Sequence, residues 1–413
     1  MPPSSSDPQR RDERRRVEQQ IELMREAVGE NVLDWDTEEQ AEFNFLFVPG
    51  RILVDRAAFD AAVGARAPDA PALPELGTQE DRGLGDGLES WVVPERTDSP
   101  RQDVLEALQT YDTELGKGVV TPEHYVHVAA IGNGRSCPAT EPEETGRTEA
   151  WPPRNSNTSS GKGVHVHVID TGWMPASRDA TRPLPAYAGH GSFAQAVVKS
   201  RAPGARVTHS EYPMQGGAIL ETDLANSLRD VITKPRPPQV ISLSAGCHTW
   251  NNRPLKAFQM LWRNHLKRLP DTVLVAAAGN DCSPAPFYPA ASKWAVGVGS
   301  LDRNGRVSNF SNYDRSADVF VLGRNHVNRY PRGTYTCHEA PDDGEERVFR
   351  TGWGRWSGTS FATPLMSGMI AVHIQETGMP ARAAARHLIR TEGQWRHGAV
   401  YGDYRRLGMN HYS

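Results

Sequence analysis

The chain has 413 residues, with 38% apolar and 23% charged positions and a formal net charge of −4. At roughly 150 residues per domain that length predicts two to three domains, and the composition excludes a disordered or low-complexity chain. No apolar run approaches the ~18–20 residues of a membrane span. Four cysteines are too few for a disulfide scaffold, and Arg10-Arg11-Asp12-Glu13-Arg14-Arg15-Arg16 has no apolar stretch behind it. The expectation is a reduced, cytoplasmic protein without a secretory signal.

The small net charge conceals a split. Residues 1–160 hold 16 Lys/Arg against 31 Asp/Glu, a net of −15, whereas residues 161–413 hold 30 against 19, a net of +11. Such an asymmetry suggests two parts with different tasks.

In chain order, residues 1–42 read as a charged helical segment. Val17, Ile21, Leu23, Met24 and Val28 lie at helical spacing within 7–30, fit for packing on a partner or for a solvated helix. Phe43 to Val48, a Pro49-Gly50 turn and Arg51 to Val54 predict a hairpin, followed by a short helix to Val63. Residues 65–88 predict a mobile loop, and Trp91 to Val93 a short strand. Ser99-Pro100-Arg101-Gln102 combines an N-cap serine, a first-turn proline and a capping-box glutamine. The helix it opens carries Val104, Leu105, Leu108 and Leu115 on one face, and Tyr125 to Ala130 alternates as a strand. Residues 43–131 thus predict a small α+β module. Residues 132–160 read as a linker from their prolines and their Ser/Asn/Thr run.

From residue 161 to the end, apolar β-rich runs alternate with helical ones. Strands are predicted at 164–169, 240–243, 273–278, 295–298 and 319–322. Helices are predicted near 192–200, 222–232, 254–268, 360–376 and 380–390. This alternation predicts an α/β domain with a mostly parallel central sheet flanked by helices. In such sheets functional groups gather beyond the carboxyl ends of the strands.

Three segments carry chemistry. Val168-Ile169-Asp170-Thr171-Gly172 puts an acid at a strand tip. Gly189-His190-Gly191-Ser192-Phe193 puts an imidazole at a helix start. Gly358-Thr359-Ser360-Phe361-Ala362-Thr363-Pro364 puts a hydroxyl at a helix mouth. A serine needs a base to take its proton, and the base needs an acceptor to fix its tautomer. A helix N-terminus adds backbone N–H groups where negative charge develops.

These segments, in this order, resemble the subtilisin-like (subtilase) serine peptidases, together with Val275-Ala276-Ala277-Ala278-Gly279-Asn280 and Tyr288-Pro289-Ala290. The resemblance covers roughly residues 161–390. It implies a serine endopeptidase in which Ser360 is the nucleophile, His190 the general base and acid, and Asp170 its orienting partner. Asn280 and the Ser360 N–H would form the oxyanion hole. Ser244-Ala245-Gly246 resembles one wall of the primary specificity pocket, with Ala278-Gly279 opposite, and Ala245 and Gly246 point to an unobstructed wall. Gly216 and Gly217 would offer an edge for the substrate backbone. Departures are Gln195-Ala196 on the His190 helix, Trp173 after Asp-Thr-Gly, and only 19 residues between Asp170 and His190. None removes a reacting group.

The chemistry requires no cofactor. A structural calcium site is compatible with the resemblance, but no acidic loop traces one. Cys247-His248 and Cys337-His338 lack a Cys-x-x-Cys partner, so no metal site is expected. Cys247 and Cys282 are expected near the substrate; a disulfide between them is weighed against the reduced thiols the compartment favours. His165 and His167 read as structural. The basic residues of the C-terminal part are scattered, so the expected partners are a polypeptide substrate and the N-terminal module docking in cis, with no nucleic acid and no membrane. That module reads as an inhibitory propeptide or as a permanent regulatory domain, and the charge split favours its docking. The competing function class is a catalytically inactive subtilisin-like scaffold that binds or regulates.

Overall fold

The structure, a computed structural model, describes residues 45–83, 85, 87–128, 140–175, 179, 181–210, 217–338, 342–398 and 402–407, with Glu22, Arg25, Glu26, Asp34 and Trp35. The predicted helix at 7–30 therefore lies almost wholly outside the described residues.

The five strands predicted after Gly163 all fall in one central sheet. In the N-terminal module the elements are β1 (Leu46–Asp55), α1 (Arg56–Gly64), β2 (Thr78–Glu80), β3 (Leu88–Val92), α2 (Pro100–Glu114) and β4 (Val120–His127). Beyond it come β5 (His165–Ile169), α3 (His190–Arg201), β6 (Arg206–His209), β7 (Ala218–Leu220), α4 (Glu221–Ile232), β8 (Val240–Leu243) and α5 (Lys256–Asn264). The chain continues with β9 (Val273–Ala277), β10 (Val296–Leu301), β11 (Val319–Leu322), α6 (Thr359–Thr377), α7 (Ala381–Thr391), β12 (Gln394–Gly398) and β13 (Gly402–Arg406). The central sheet runs β6-β5-β8-β9-β10-β11-β13-β12. Every neighbouring pair is parallel except β12 with β13.

Alternation within the strands sends side chains to two separate cores. Val166, Val168, Val240, Val273 and Val275 face α3 and α6, meeting Phe193, Val197, Phe361 and Leu365. Ile169, Ile241, Leu243 and Leu274 face the other way, against Leu224 and Leu228 of α4 and Phe258 and Leu261 of α5. Strands covered on both faces need the near-continuous apolar runs seen in the sequence. No helix among the described residues is long and apolar enough to cross a membrane.

The module is an antiparallel sheet in the order β4-β1-β3-β2, with Asp34–Trp35 also paired to β1. Phe47, Ile52, Val54 and Val120 pack under Phe59 of α1 and Val104, Leu108 and Tyr111 of α2. Leu46, Val48, Leu53, Tyr125 and Val126 of the opposite face join the core of α4 and α5. The predicted hairpin is instead one strand. Phe47 pairs with His124 and Ile52 with Pro122, so five steps along β1 match two along β4. Pro49-Gly50, with Gly50 at φ +75°, is a bulge in that strand. A turn dipeptide inside an apolar run signals either outcome, and the pairing partner decides.

Residues 140–160, read as linker, are built into the larger domain. Glu143–Glu144 pairs with Trp353–Trp356, and Trp151 exchanges two 2.8 Å backbone bonds with Val327. Glu141 is buried, accepting from Tyr335 Oη at 2.7 Å and His338 N at 2.6 Å. Burial holds its carboxyl above the ordinary range.

Candidate active site

Parallel pairing aligns three strand ends at one edge. Ile169, Leu243 and Ala276 lie in register across β5, β8 and β9. Asp170 and Ser244 follow their strands directly, and Asn280 lies a few residues past β9. Helices α3 and α6, packed side by side, deliver His190 and Ser360 from their first turns.

His190 Nδ1 lies 2.6 Å from Asp170 Oδ1, both groups buried. Thr171 N donates to the same oxygen at 2.7 Å, while Asp170 Oδ2 is buried with no hydrogen-bond partner among the described residues. A carboxylate only accepts, so Nδ1 carries a proton, and in the neutral ring Nε2 is the atom left with a lone pair. The imidazole is held edge-on to Trp356 and tilted against Phe361, both with centroids 5.1 Å away. Phe361 is the neighbour of Ser360 in the chain.

Two further hydrogen bonds tie the strand ends to the mouth of α6. Ser244 Oγ donates to the Ser360 carbonyl at 3.0 Å. Asn280 Oδ1 accepts from Thr359 N at 2.9 Å and Thr359 Oγ1 at 3.0 Å. Thr359 Oγ1 in turn accepts from Gly279 N at 3.3 Å. With Oδ1 engaged twice, the Asn280 amide is fixed end for end, and its Nδ2 remains a spare donor. Thr359 is the residue that orients Asn280; the sequence motif contains it, but no spacing argument singles it out. Ser360 Oγ makes no hydrogen bond with a described residue, His190 included. Such bonds are often long in a ligand-free site and tighten on the reacting group.

The expected substrate-binding residues divide into three sets. Ser244-Ala245-Gly246 follows β8 and Ala278-Gly279 follows β9, with Ala278 N bonded to Val298 O at 3.0 Å. Gly217 lies across the cleft, whereas Gly216 is outside the described residues. Gly217 has φ +81°, and a Cβ there would crowd the Tyr187 ring and Val128 at about 3 Å. The Phe287 ring lies against both Gly246 and Gly279, and the sequence assigned it no role. Cys247 is a buried free thiol, pushed well above its ordinary pKa by burial and by the Glu221 charge. His165 and His167 both bond Thr208 Oγ1, at 2.7 and 2.8 Å, away from this edge.

The cleft holds the end of the module. His127 exchanges two 3.1 Å backbone bonds with Gly246, and Val128 N donates to Gly217 O at 2.8 Å. Ala218, Ile219 and Leu220 continue antiparallel against His127, Val126 and Tyr125. Beneath this strand lie charged groups that are almost completely buried. Glu221 accepts from His124 Nδ1 at 2.8 Å and from Ala257 N at 3.0 Å, and His124 Nε2 accepts from Trp250 N at 3.1 Å. Glu123 accepts from Arg51 at 3.0 Å and from Thr222 Oγ1, and burial pushes its carboxyl up. The ion pairs across the seam run in opposite senses: Asp55 to Arg263 at 2.7 Å, and Arg82 to Asp223 at 3.1 Å. These two pairs do not follow one sign of charge, and apolar packing and backbone pairing run alongside them.

Residues 161–408 match the model of the subtilase family. The chain belongs to the subtilase family and is a serine peptidase of that class. Thermitase of Thermoactinomyces vulgaris is 26% identical over 253 residues, covering 55% of this chain and 79% of thermitase. An extracellular serine proteinase of Thermus sp. (strain Rt41A) is 26% identical over 252 residues, covering 56% of each chain. Among solved structures, fervidolysin from Fervidobacterium pennivorans, described as a keratinolytic enzyme related to subtilisin, superposes with a TM-score of 0.54 at 16% identity. That superposition covers 92% of this chain and 62% of fervidolysin, so the likeness of fold extends beyond the matched 161–408 into the N-terminal part.

Proposed function

We propose that the chain is a serine endopeptidase acting through an Asp170–His190–Ser360 triad and an oxyanion hole of Asn280 Nδ2 and the Ser360 N–H. The observation that carries this reading is the 2.6 Å His190–Asp170 bond at the edge where Thr359 pins Asn280 beside Ser360. Ser360 Oγ attacks the scissile carbonyl carbon while His190 Nε2 takes the hydroxyl proton. The carbonyl oxygen, now negative, receives hydrogen bonds from the two donors. The C–N bond breaks as His190 returns the proton to the leaving amine. Water, activated by the same imidazole, then releases the acyl group from Ser360. No step calls for a metal or cofactor.

The substrate is a polypeptide bound as an added strand, and the module acts in cis as an inhibitor that occupies this strand's place. Residues 125–128, hydrogen-bonded on both sides within the cleft, support that role. The full-length chain is incubated with a fluorophosphonate probe and followed by intact mass. Labelling of Ser360, absent from Ser360→Ala, is expected. A cut between Val128 and Thr140 that Ser360→Ala abolishes is also expected. If neither the full chain nor any fragment formed on incubation is labelled, the peptidase reading falls. If the labelled enzyme stays full length, the module is a permanent regulatory domain and not a propeptide.

A further inference from the structure

We propose that Phe287 fills the primary side-chain pocket, so that this peptidase cuts after residues with small side chains: glycine, alanine or serine. The inference rests on the catalytic reading above and names its substrate class.

The module's own strand marks the track of a bound peptide. His127 is the residue paired with Gly246. Antiparallel pairing advances one chain as the other recedes, so the peptide residue two places further along lies opposite Ser244. Ser244 Oγ holds the carbonyl of Ser360, so that peptide residue is the one presented to the nucleophile. Alternate side chains of an extended strand share a face. His127 already points its ring at Phe287, edge to face, with centroids 6.0 Å apart. The side chain before the scissile bond is therefore directed toward Phe287 as well.

There it meets a filled space. A Cβ built on Gly246 would run into the edge of the Phe287 ring, and one built on Gly279 would come within 3.0 Å of its Cγ. The ring thus touches both walls that should bound the pocket, and it is only 3% exposed. His248, itself buried, stands edge-on behind it at 5.2 Å and is anchored through Nδ1 to Pro286 O at 3.0 Å. The Phe287 backbone is held by a 2.9 Å bond from its N–H to Ser316 Oγ. Small wall residues at 245 and 246 leave room for this ring and not for a large substrate side chain. Close packing makes such a plug costly to displace.

The test compares peptide phosphonate probes and fluorogenic peptides that differ only in the residue before the scissile bond, using self-processed enzyme titrated with fluorophosphonate. One methylene in a pocket is worth about 10–200-fold, so kcat/KM for alanine should exceed that for leucine or phenylalanine by on the order of 10²-fold or more. Phe287→Gly should raise kcat/KM for leucine and phenylalanine relative to that for alanine by about 10-fold or more; Phe287→Ala gives a milder version if the glycine variant folds poorly. The proposal is overturned if the unmodified enzyme accepts phenylalanine as readily as alanine, or if both folded variants leave the ratio unchanged. Failure of the fluorophosphonate itself to label Ser360 removes the parent reading, and this one with it, and is a different result from equal labelling by both peptide probes.

Discussion

The two ends of the β4 track treat polar groups in opposite ways. At the seam under β4, Glu221, Glu123 and His124 are buried and each is hydrogen-bonded, Glu221 on both oxygens. At the strand-end site, buried Asp170 keeps one oxygen unpartnered, and Asn280 and Ser360 each retain a polar atom with no hydrogen bond to a described residue. Satisfied buried groups fix one docked arrangement, because breaking any of them exposes an unpaired partner. Unsatisfied ones hold capacity for groups that appear only during a reaction. The same chain thus pairs its buried polar residues in one place and leaves polar atoms open at the proposed catalytic site in the other.

Breaking the reactive side should have the larger effect. Asn280→Ala removes the spare donor and should lower kcat by about 10²–10³-fold with little change in KM; that magnitude comes from subtilisin, a member of this family. Thermal unfolding of the variant checks that lost packing is not the cause. An unchanged kcat would remove Asn280 from the oxyanion hole.

Breaking the satisfied side should act on docking. Glu221→Ala strips the acceptor from His124 Nδ1 and Ala257 N, a loss on the order of 3 kcal/mol for a buried network. The full-length variant should unfold at lower urea concentration and, once folded, show earlier cutting between Val128 and Thr140. Arg263→Ala, at the half-exposed pair with Asp55, should cost no more than about 1 kcal/mol, and the cost should shrink in high salt. If Arg263→Ala matches Glu221→Ala in urea titration, the charge split seen in the composition matters more than the seam's packing indicates.

Acid sharpens the comparison by acting on the core behind the strand-end site, which is separate from the core under the seam. His326 is fully buried behind Phe361, bonded among the described residues only through Nε2 to Leu322 O at 3.0 Å, and burial lowers its pKa to about 4. In the unfolded chain the same group titrates near 6.5. The unfolded state therefore binds the extra proton first. Stability present above about pH 6.5 is lost as pH falls toward 4, by up to on the order of 3 kcal/mol. Urea titrations at pH 7 and pH 4.5 should show a smaller loss for a folded His326→Gln than for the unmodified chain.

How much of this was legible beforehand follows from distance along the chain. Asp170, His190, Asn280 and Ser360 stood out because each sits in a short segment whose residue types and order are unusual. The parallel sheet was legible because strands buried on two faces must be apolar throughout. The Pro49-Gly50 bulge was misread because one dipeptide serves a turn and a bulge alike, and only the pairing with β4 distinguishes them. Residues 140–160 looked like linker because prolines and serines mark irregular chain, whether it is free or packed.

The sequence by itself determined the family of the protein and its parallel sheet, and it singled out the segments that hold Asp170, His190, Asn280 and Ser360. Each of those is written in local pattern: a motif, a period or a change of composition. Tertiary structure alone decided that Thr359 orients Asn280, that β4 ends in the cleft, and that the Phe287 ring lies against both Gly246 and Gly279. Those are contacts between segments far apart in the chain, fixed by sheet register and by which side chain fills the space a glycine leaves.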